Sequence, residues 1–186
     1  MNVKYQRLLA FHQPANFRGK QGWYVQLWWL VQSLLFNGSP QFLYGWRRFL
    51  LRCFGARIGK NVIIRPSVRV TYPWKLTIGD NSWVGDQVEL YTLGEISIGR
   101  NAVVSQRSYL CTGGHDYQKV AFDIFAKPII VEDEAWIATD VFVAPGVTIG
   151  YGSVIGARST VLQNIPKGMV CIGSPAKPIK ERIMKL

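Results

Sequence analysis

The sequence predicts an all-β fold, a parallel β-helix of hexapeptide repeats, on three observations. Related tetrapeptides recur 20 residues apart: IGKN at 58–61, IGDN at 78–81 and IGRN at 98–101. An aliphatic residue returns at every sixth position, and a small or β-branched residue often follows four positions later. A period of six matches neither an α-helix nor a half-buried strand. It is typical of a β-helix, in which three hexapeptides form one triangular coil.

The aliphatic series also sets the extent of the repeat domain, which is placed at 58–166. Five coils are expected, and they begin at Ile58, Ile78, Ile98, Val131 and Ile149. Inward-pointing residues should then stack on their equivalents at the ordinary strand spacing of about 4.8 Å. The 20-residue steps of the early coils predict two additional residues at one corner.

One step in the series is too long. Ile98 and Val131 are 33 residues apart, 13 more than the earlier step, and the excess lies in 113–127. The chain is therefore expected to leave the β-helix there as an extruded loop. His115, one of two histidines in the chain, stands where this loop begins. Long insertions in a regular solenoid are commonly functional, so His115 is the leading candidate for a reactive group.

Residues 1–57 are predicted to form a helical cap over the open end of the first coil, as solenoids require. Gly38-Ser39-Pro40 is typical of a turn followed by the N-cap and first-turn proline of a second helix. His12 also lies in this segment, and no role is expected for it. An apolar stripe on the first helix is expected to belong to the cap: Trp23, Leu27, Leu30, Val31, Leu34 and Leu35.

All of the excess positive charge lies in the first part of the chain. The net charge is +11, and residues 1–79 hold 12 Lys/Arg and no Asp or Glu. Such asymmetry indicates an anionic partner. Nucleic acid is not expected, because no nucleic-acid-binding motif is present. An anionic membrane surface is compatible with the four tryptophans of residues 1–57: Trp23, Trp28, Trp29 and Trp46.

Other features favour a cytoplasmic protein, with peripheral contact at the inner membrane face as an open alternative. The apolar run at 23–36 is too short and too interrupted for a membrane span. The start of the chain lacks a signal-peptide layout. Three scattered cysteines suggest neither a disulfide framework nor a cysteine zinc site.

Three segments carry a family resemblance: IGDNSWVGDQVELYTLGEISIGRNAVVSQRSYLCTGGHDY, KPIIVEDEAWIATDVFVAPGVTIGYGSVIGARSTV and GSPAKPIK. Together they resemble the bacterial hexapeptide-repeat acetyltransferases, and most of all the colanic acid biosynthesis acetyltransferases, over about residues 49–180. The resemblance implies a left-handed β-helix and a homotrimer. It also implies acetyl-CoA as co-substrate, bound in a groove between neighbouring subunits, with the C-terminal tail at 167–186 contributing to that site.

The resemblance also implies roles for individual residues. His115 matches the catalytic histidine, and the amide of Thr139 could face the thioester. Ala138 departs from the glycine that is common at its position. The positions that match the acyl-CoA site are Trp136, Thr139, Ala157, Arg158, Lys177 and Lys180.

Acetyl transfer to a sugar hydroxyl needs a base for the hydroxyl proton and a donor for the developing oxyanion. A neutral imidazole and a backbone N–H meet both needs, so no metal and no covalent enzyme intermediate is expected. Residues about one coil from the loop are candidates for binding the acceptor saccharide: Asp86, Glu89, Tyr91 and Thr92.

A carboxylate is expected to orient the second nitrogen of His115. His115 lies five residues beyond Leu110, and Glu95 lies five beyond Leu90 in the coil below. Stacking would make the two neighbours if the loop leaves the coil late. Asp116 is the alternative, ranked lower because side chains adjacent in sequence often point apart.

The predicted function is O-acetylation of a sugar hydroxyl, with His115 as general base, in the synthesis of a colanic-acid-like exopolysaccharide. The acceptor could be free, nucleotide-linked or lipid-linked. Other acceptors stay open, namely an amino sugar, an antibiotic or serine, as does a non-catalytic β-helix that only binds. A γ-type carbonic anhydrase would, by resemblance, need three zinc-binding histidines, and the repeat domain has one.

Overall fold

The computed structural model describes residues 5–185 and shows a left-handed parallel β-helix with helices at its N-terminal end. Each coil contributes one short strand to each of three faces. Face A consists of β1 (Arg57–Ile58), β4 (Leu76–Ile78), β7 (Ile96–Ile98), β12 (Ile129–Val131) and β15 (Thr148–Ile149). Face B consists of β2 (Ile63–Ile64), β5 (Trp83–Val84), β8 (Val103–Val104), β13 (Trp136–Ile137), β16 (Val154–Ile155), β18 (Met169–Gly173) and β19 (Ala176–Glu181). Face C consists of β3 (Arg69–Val70), β6 (Glu89–Tyr91), β9 (Tyr109–Cys111), β14 (Phe142–Val143) and β17 (Thr160–Val161).

The predicted repeat is confirmed by the strand register. Residues of the six-residue series pair in parallel with their equivalents one coil away, as in Ile58 with Ile78 and Leu90 with Leu110. The series fills the interior in three columns and forms one continuous core. Five coils are complete, and a sixth begins with a bridge from Ile149 to Ile165. The C-terminal tail adds the antiparallel pair β18–β19 to face B.

The corners explain the recurring IGxN tetrapeptide. Asn61, Asn81 and Asn101 have φ values of 54°, 60° and 53°. Asparagine tolerates this left-handed region better than most residues. The glycine faces the backbone of the next coil: a Cβ on Gly79 would lie 2.7 Å from the amide nitrogen of Arg100. A side chain there would push the coils apart.

The two additional residues of the early coils lie at the corner between faces C and A. In the first coil this corner contains a 3₁₀ turn at Pro73–Lys75. Threonines stabilise it by bonding to main-chain groups of the preceding coil. The hydroxyl of Thr92 donates to the Tyr72 carbonyl and accepts from the Tyr72 amide. Thr112 donates in the same way to the carbonyl of Tyr91.

Two helices cover the N-terminal end: α1 (Gly22–Val31), extended by a π-helical turn at Gln32–Phe36, and α2 (Tyr44–Cys53). The predicted cap is therefore present. Ser39 is not an N-cap, because α2 begins at Tyr44 and its N-cap residue is Leu43, which makes no side-chain capping hydrogen bond. Instead the Ser39 hydroxyl donates to the Phe36 carbonyl and accepts from Arg47.

Arginines of α2 satisfy the main-chain edge of the first coil, which has no preceding coil to pair with. Arg47 donates to the Ile64 carbonyl at 2.7 Å, Arg48 to that of Val62 at 2.8 Å, and Arg52 to that of Ile58 at 2.6 Å. On the third face, the Trp28 indole donates to the Val70 carbonyl. These three cations therefore have a structural role.

The predicted apolar stripe of α1 faces the wrong way for a cap. Val25 and Trp28 are fully buried, whereas Trp23, Leu27 and Leu30 are exposed. Trp23, Leu27 and Leu30 recur every three or four positions, so they share one side of the helix. The opposite side of α1 makes the contacts with the β-helix.

No helix within residues 5–185 is long and apolar enough to cross a membrane.

Candidate active site

The predicted loop at 113–127 is an ordered β-hairpin at the corner between faces C and A. Strand β10 (Gly113–His115) pairs antiparallel with β11 (Ile124–Ala126). A Cβ on Gly113 would lie 2.6 Å from the Leu93 side chain, and one on Gly114 would lie 2.7 Å from the Phe125 ring. The glycine pair therefore lets the chain turn out of the coil against two close neighbours. The predicted exit point is confirmed.

Phe122 fixes the imidazole of His115 in two ways. The Nδ1 atom lies 2.7 Å from the Phe122 carbonyl oxygen. Because a carbonyl only accepts, Nδ1 is the donor, and in the neutral ring Nε2 then keeps its lone pair. The two rings are stacked, with centroids 4.2 Å apart and planes 7° from parallel. The ring is thus oriented with Nε2 as the basic atom.

The N-terminal arm reaches the same hairpin. The Phe11 ring lies 5.9 Å from the His115 ring, and the Arg7 amide donates to the Val120 carbonyl. Neither Phe11 nor Phe122 was predicted as a site residue from the sequence. No local pattern could have found them, since only the hairpin register and the path of the arm bring them to His115.

The orienting contact does not come from either predicted carboxylate. Ile129 pairs with Ile96, so Pro128 lies opposite Glu95. The prediction that His115 stacks on Glu95 was therefore wrong. The reason is that the chain leaves the coil at Gly113, before the register could place His115 there. The Asp116 carboxylate accepts instead from the Gln118 amide at 3.0 Å.

The six predicted acyl-CoA positions lie on face B or at the edge where faces B and C meet. Trp136 is on face B, and Thr139 follows it at the corner between faces B and C. Arg158 is one coil further on, where its amide donates to the Thr139 carbonyl at 3.0 Å. Lys177 and Lys180 lie on β19, beyond the last complete coil. Ala157, beside Arg158, is exposed like both lysines.

A groove of about 950 Å³ runs along face B from this edge toward the N-terminal end. Trp83 and Trp136 both line it, and they are 54% and 45% exposed. They belong to one column, separated by Val103. The Trp136 indole donates to the Ser105 hydroxyl at 3.0 Å, which fixes its ring in the groove. Trp83 was not predicted as a site residue, although its outward position two coils from Trp136 is a signal visible in the sequence.

The four predicted acceptor residues do not lie together. Asp86 lines the groove on face B, whereas Glu89 and Tyr91 lie on strand β6 of face C. Thr92 is fully buried, and its hydroxyl is bonded to the main chain of Tyr72. The prediction that Thr92 binds the acceptor was wrong. The two additional residues at the corner between faces C and A turn the Thr92 side chain inward.

An ion pair holds Asp86 in the groove. Arg65 Nε lies 2.8 Å from the Asp86 carboxylate, which also accepts from the Ser67 hydroxyl. The Arg65 hydrogen bond lowers the pKa of Asp86 below its ordinary 3.8. Asp86 therefore carries its charge throughout the neutral range.

Tyr91 continues into an aromatic ladder on face C that sequence analysis missed. The ring centroids of Tyr91 and Tyr109 are 6.0 Å apart, and those of Tyr109 and Phe142 are 5.7 Å apart. Burial, followed by interactions with Cys111, raises the pKa of Tyr109. The ladder lies at the base of the hairpin, because strand β9, which carries Tyr109, leads directly into the first hairpin strand, β10.

His115 and the groove lie on different sides of one chain. The hairpin leaves at the corner between faces C and A, and the groove lies on face B, the side of the triangle opposite that corner. One chain alone therefore does not bring His115 to Trp136 or Thr139.

Comparisons with known proteins identify the family. No protein-family model matches the chain. Over 178 residues the chain is 61% identical to an Escherichia coli (strain K12) protein named "Putative colanic acid biosynthesis acetyltransferase WcaF", and the match covers 96% of this chain and 98% of that protein. The chain belongs to the colanic acid biosynthesis acetyltransferase family.

Other acetyltransferases share parts of this family's sequence and its fold. The galactoside O-acetyltransferase of E. coli (strain K12) is 30% identical to this acetyltransferase over 138 residues, covering 73% of this chain and 68% of that protein. The crystal structure of a hexapeptide-repeat acetyltransferase, VCA0836 of Vibrio cholerae, superposes with a TM-score of 0.81 at 26% identity and covers 95% and 98% of the two chains. That Vibrio protein has also been solved with acetyl coenzyme A.

Proposed function

We propose that this acetyltransferase moves an acetyl group from acetyl-CoA to a saccharide hydroxyl during exopolysaccharide synthesis. The names of the E. coli relatives support a colanic acid or galactoside type of acceptor, and the Vibrio complex supports acetyl-CoA as donor. The observation that carries the mechanism is the fixed imidazole of His115, whose Nδ1 is bonded to the Phe122 carbonyl.

In the proposed reaction, Nε2 of His115 accepts the proton of the acceptor hydroxyl as its oxygen attacks the thioester carbonyl. A C–O bond forms and the C–S bond breaks. The leaving thiolate of CoA takes the proton back from the imidazolium. The products are a sugar acetate ester and free CoA, and general base catalysis of this kind contributes about 10²–10⁴-fold.

We infer that the donor lies along the edge that carries Trp136, Thr139 and Arg158. Among residues 5–185 the Thr139 amide has no acceptor, so it is available to the developing oxyanion. Lys177 and Lys180 extend the edge toward the C-terminal end with two exposed cations suited to the CoA phosphates.

The proposed site is assembled from two subunits of a homotrimer. It requires the hairpin of one subunit to enter the groove of the next, because the two lie on different sides of one chain. A heterologous contact of this kind closes into a ring under three-fold symmetry. Asp86, in the same groove as Trp136, is then placed to bind the acceptor. Glu89 and Tyr91 would act from face C beside the hairpin.

We infer a cytoplasmic location, which the use of acetyl-CoA supports. The acceptor would be a free, nucleotide-linked or lipid-linked saccharide. A lipid-linked acceptor would bring the enzyme to the inner membrane face.

The test is release of CoA from acetyl-CoA across a panel of saccharides, amino sugars and serine. His115→Ala should lower kcat by about 10²–10⁴-fold. The matched control is His12→Ala, at the other histidine, which should retain wild-type activity. Full activity of His115→Ala would overturn the mechanism, and acetylation confined to amines would overturn the proposed acceptor.

A further inference from the structure

The N-terminal helices expose a large apolar surface on the side that faces away from the β-helix. On α1 and the π-helical turn that follows it, Trp23, Leu27, Leu30 and Leu34 are 65%, 42%, 57% and 63% exposed. They recur at spacings of four, three and four residues, so they form one stripe. The opposite side of the same helix holds the buried Val25 and Trp28.

Helix α2 and the turn before it enlarge the stripe. Phe42 and Phe49 are 76% and 54% exposed. Trp46 stacks on Phe49, and its indole donates to the Leu35 carbonyl, which joins the end of the first helix to α2. We refer to the combined surface as the outer apolar face: Trp23, Leu27, Leu30, Leu34, Leu35, Phe42, Trp46 and Phe49. Folded proteins seldom leave a contiguous patch of this kind without a partner.

The direction of this face follows from the contacts beneath it. Through Arg52, Arg47 and Trp28 the helices bond to β1, β2 and β3, the three strands of the first coil. The helices therefore lie across the end of the prism, and the outer apolar face points away from that end.

Charge decides between a second copy of the chain and a lipid surface. Residues 1–79 contain no carboxylate side chain. The nearest acids of the second coil are engaged: Asp80 accepts from the Lys60 amide, and Asp86 pairs with Arg65. Lys20, Arg57 and Arg69 are exposed around the end of the prism, and none forms an ion pair within residues 5–185.

A second copy docked on this face by two-fold symmetry would set the same cations against one another without acids to neutralise them. A bilayer of anionic lipid supplies both an apolar phase for the leucines and phosphates for the cations. The tryptophans suit the boundary between the two, because indole combines an apolar body with one polar N–H.

We propose that the outer apolar face docks the protein, end-on and peripherally, on an anionic lipid bilayer. The surface is separate from the groove and the hairpin, so the proposal holds whether or not the acetyl acceptor is a saccharide. The cations that would meet the lipid phosphates are Lys20, Arg57 and Arg69. The three arginines of α2 are not among them, since they already bond to the main chain.

The experiment is co-sedimentation of the full chain with vesicles of phosphatidylcholine alone or mixed with phosphatidylglycerol. Wild type should bind the mixed vesicles and bind less at high salt. Leu27→Glu/Leu30→Glu should lose binding by more than about tenfold, because it places charges where the acyl boundary would lie. Arg57→Gln/Arg69→Gln should lose about fivefold for each cation removed.

The matched control is Ile130→Glu, at an exposed apolar residue of β12 on face A, which forms neither the outer apolar face nor the groove. It should bind vesicles like wild type. All variants should keep their circular dichroism and their CoA release with a soluble acceptor, which separates this proposal from the proposed reaction. Unchanged vesicle binding by Leu27→Glu/Leu30→Glu would overturn it. The proposal would also be overturned if neither wild type nor any variant bound vesicles, and if wild type self-associated in a way that Leu27→Glu/Leu30→Glu abolished.

Discussion

At the scale of single residues, the imidazole of His115 depends on Phe122 for both its orientation and its protonation pattern. The carbonyl determines that Nδ1 is the protonated nitrogen, and the stacked ring restricts rotation. The two contributions can be separated, since a substitution removes the ring and leaves the carbonyl.

We predict that Phe122→Ala lowers kcat by about two- to tenfold, because an aromatic pair contributes roughly 0.5–1.5 kcal/mol. The KM for acetyl-CoA should not change, since Phe122 lies on the hairpin and not on the donor edge. Steady-state kinetics measures both constants. Phe125→Ala, at an exposed ring of the same hairpin, is the control, and an equal loss there would argue against a positioning role for Phe122.

The ion pair between Arg65 and Asp86 gives the groove a defined response to acid. The lowered pKa of Asp86 means that the pair stabilises the fold above the ordinary value of 3.8 and loses this effect as pH falls through the lowered pKa. Since the Asp86 side chain is 47% exposed, solvent screening limits the effect to less than about 1 kcal/mol. Asp86→Asn should therefore reduce the free energy of unfolding slightly at pH 7. Urea unfolding at successively lower pH should show this difference shrinking below 3.8, and a constant difference would contradict the assignment.

At the scale of structural elements, α2 acts as the missing coil beneath the first one. Its arginines donate to carbonyls that a preceding coil would otherwise pair with. Arg47 is fully buried and also bonds to Ser39, Pro40 and Gln41. Burial lowers the pKa of its guanidinium, which nonetheless stays charged because arginine is protonated in proteins.

Arg47→Met should lower the free energy of unfolding by about 3 kcal/mol, because it leaves several buried acceptors without a donor. Urea denaturation at a fixed protein concentration measures the loss. Arg57→Met, at an exposed arginine of the first coil, should change stability by less than about 0.5 kcal/mol. A loss no larger at Arg47 than at Arg57 would show that the edge carbonyls find other donors.

The glycines of the IGxN tetrapeptides are required by the distance between coils. We expect Gly79→Ala to destabilise the fold by about 1–3 kcal/mol, because its Cβ would meet the main chain of the next coil. Gly22→Ala, at the open start of α1, should be neutral or stabilising, since no atom of residues 5–185 lies within 4 Å of its added Cβ. Thermal unfolding of both variants provides the comparison, and equal melting temperatures would refute the steric argument.

At the scale of the whole molecule, the opposite placement of His115 and the groove predicts complementation between inactive subunits. His115→Ala and Trp136→Ala should each be poorly active alone. In random mixed trimers about three quarters contain both variants, and each of these has one of its three sites intact. Co-expression at equal levels should therefore restore roughly a quarter of the wild-type CoA release. No recovery in trimers shown to be mixed would place both residues in one subunit's site.

The five complete coils and the exit point at Gly113 could be predicted, because each depends on residues close in sequence, whereas the start of a sixth coil was not predicted. A six-residue period records which side chains face the interior, and a break in it marks where the chain leaves. Thr139 and Arg158, two of the predicted donor positions, lie at one corner in successive coils, since a fixed period carries equivalent positions up the same corner.

The predictions that failed depended on contacts between distant segments. Glu95 faces Pro128 because of where the hairpin leaves, and the Phe122 carbonyl meets His115 because of the hairpin register. Trp28 and the arginines of α2 bond to the main-chain edge of the first coil. The side of α1 that carries Trp28 therefore faces the β-helix, and the apolar stripe on the other side faces outward. The sequence alone determined the β-helix and the place of its histidine, through local periodicity. Only the tertiary structure decided what orients that histidine and which helix face is left exposed, because hydrogen bonds across the fold select among faces that are equally apolar in sequence.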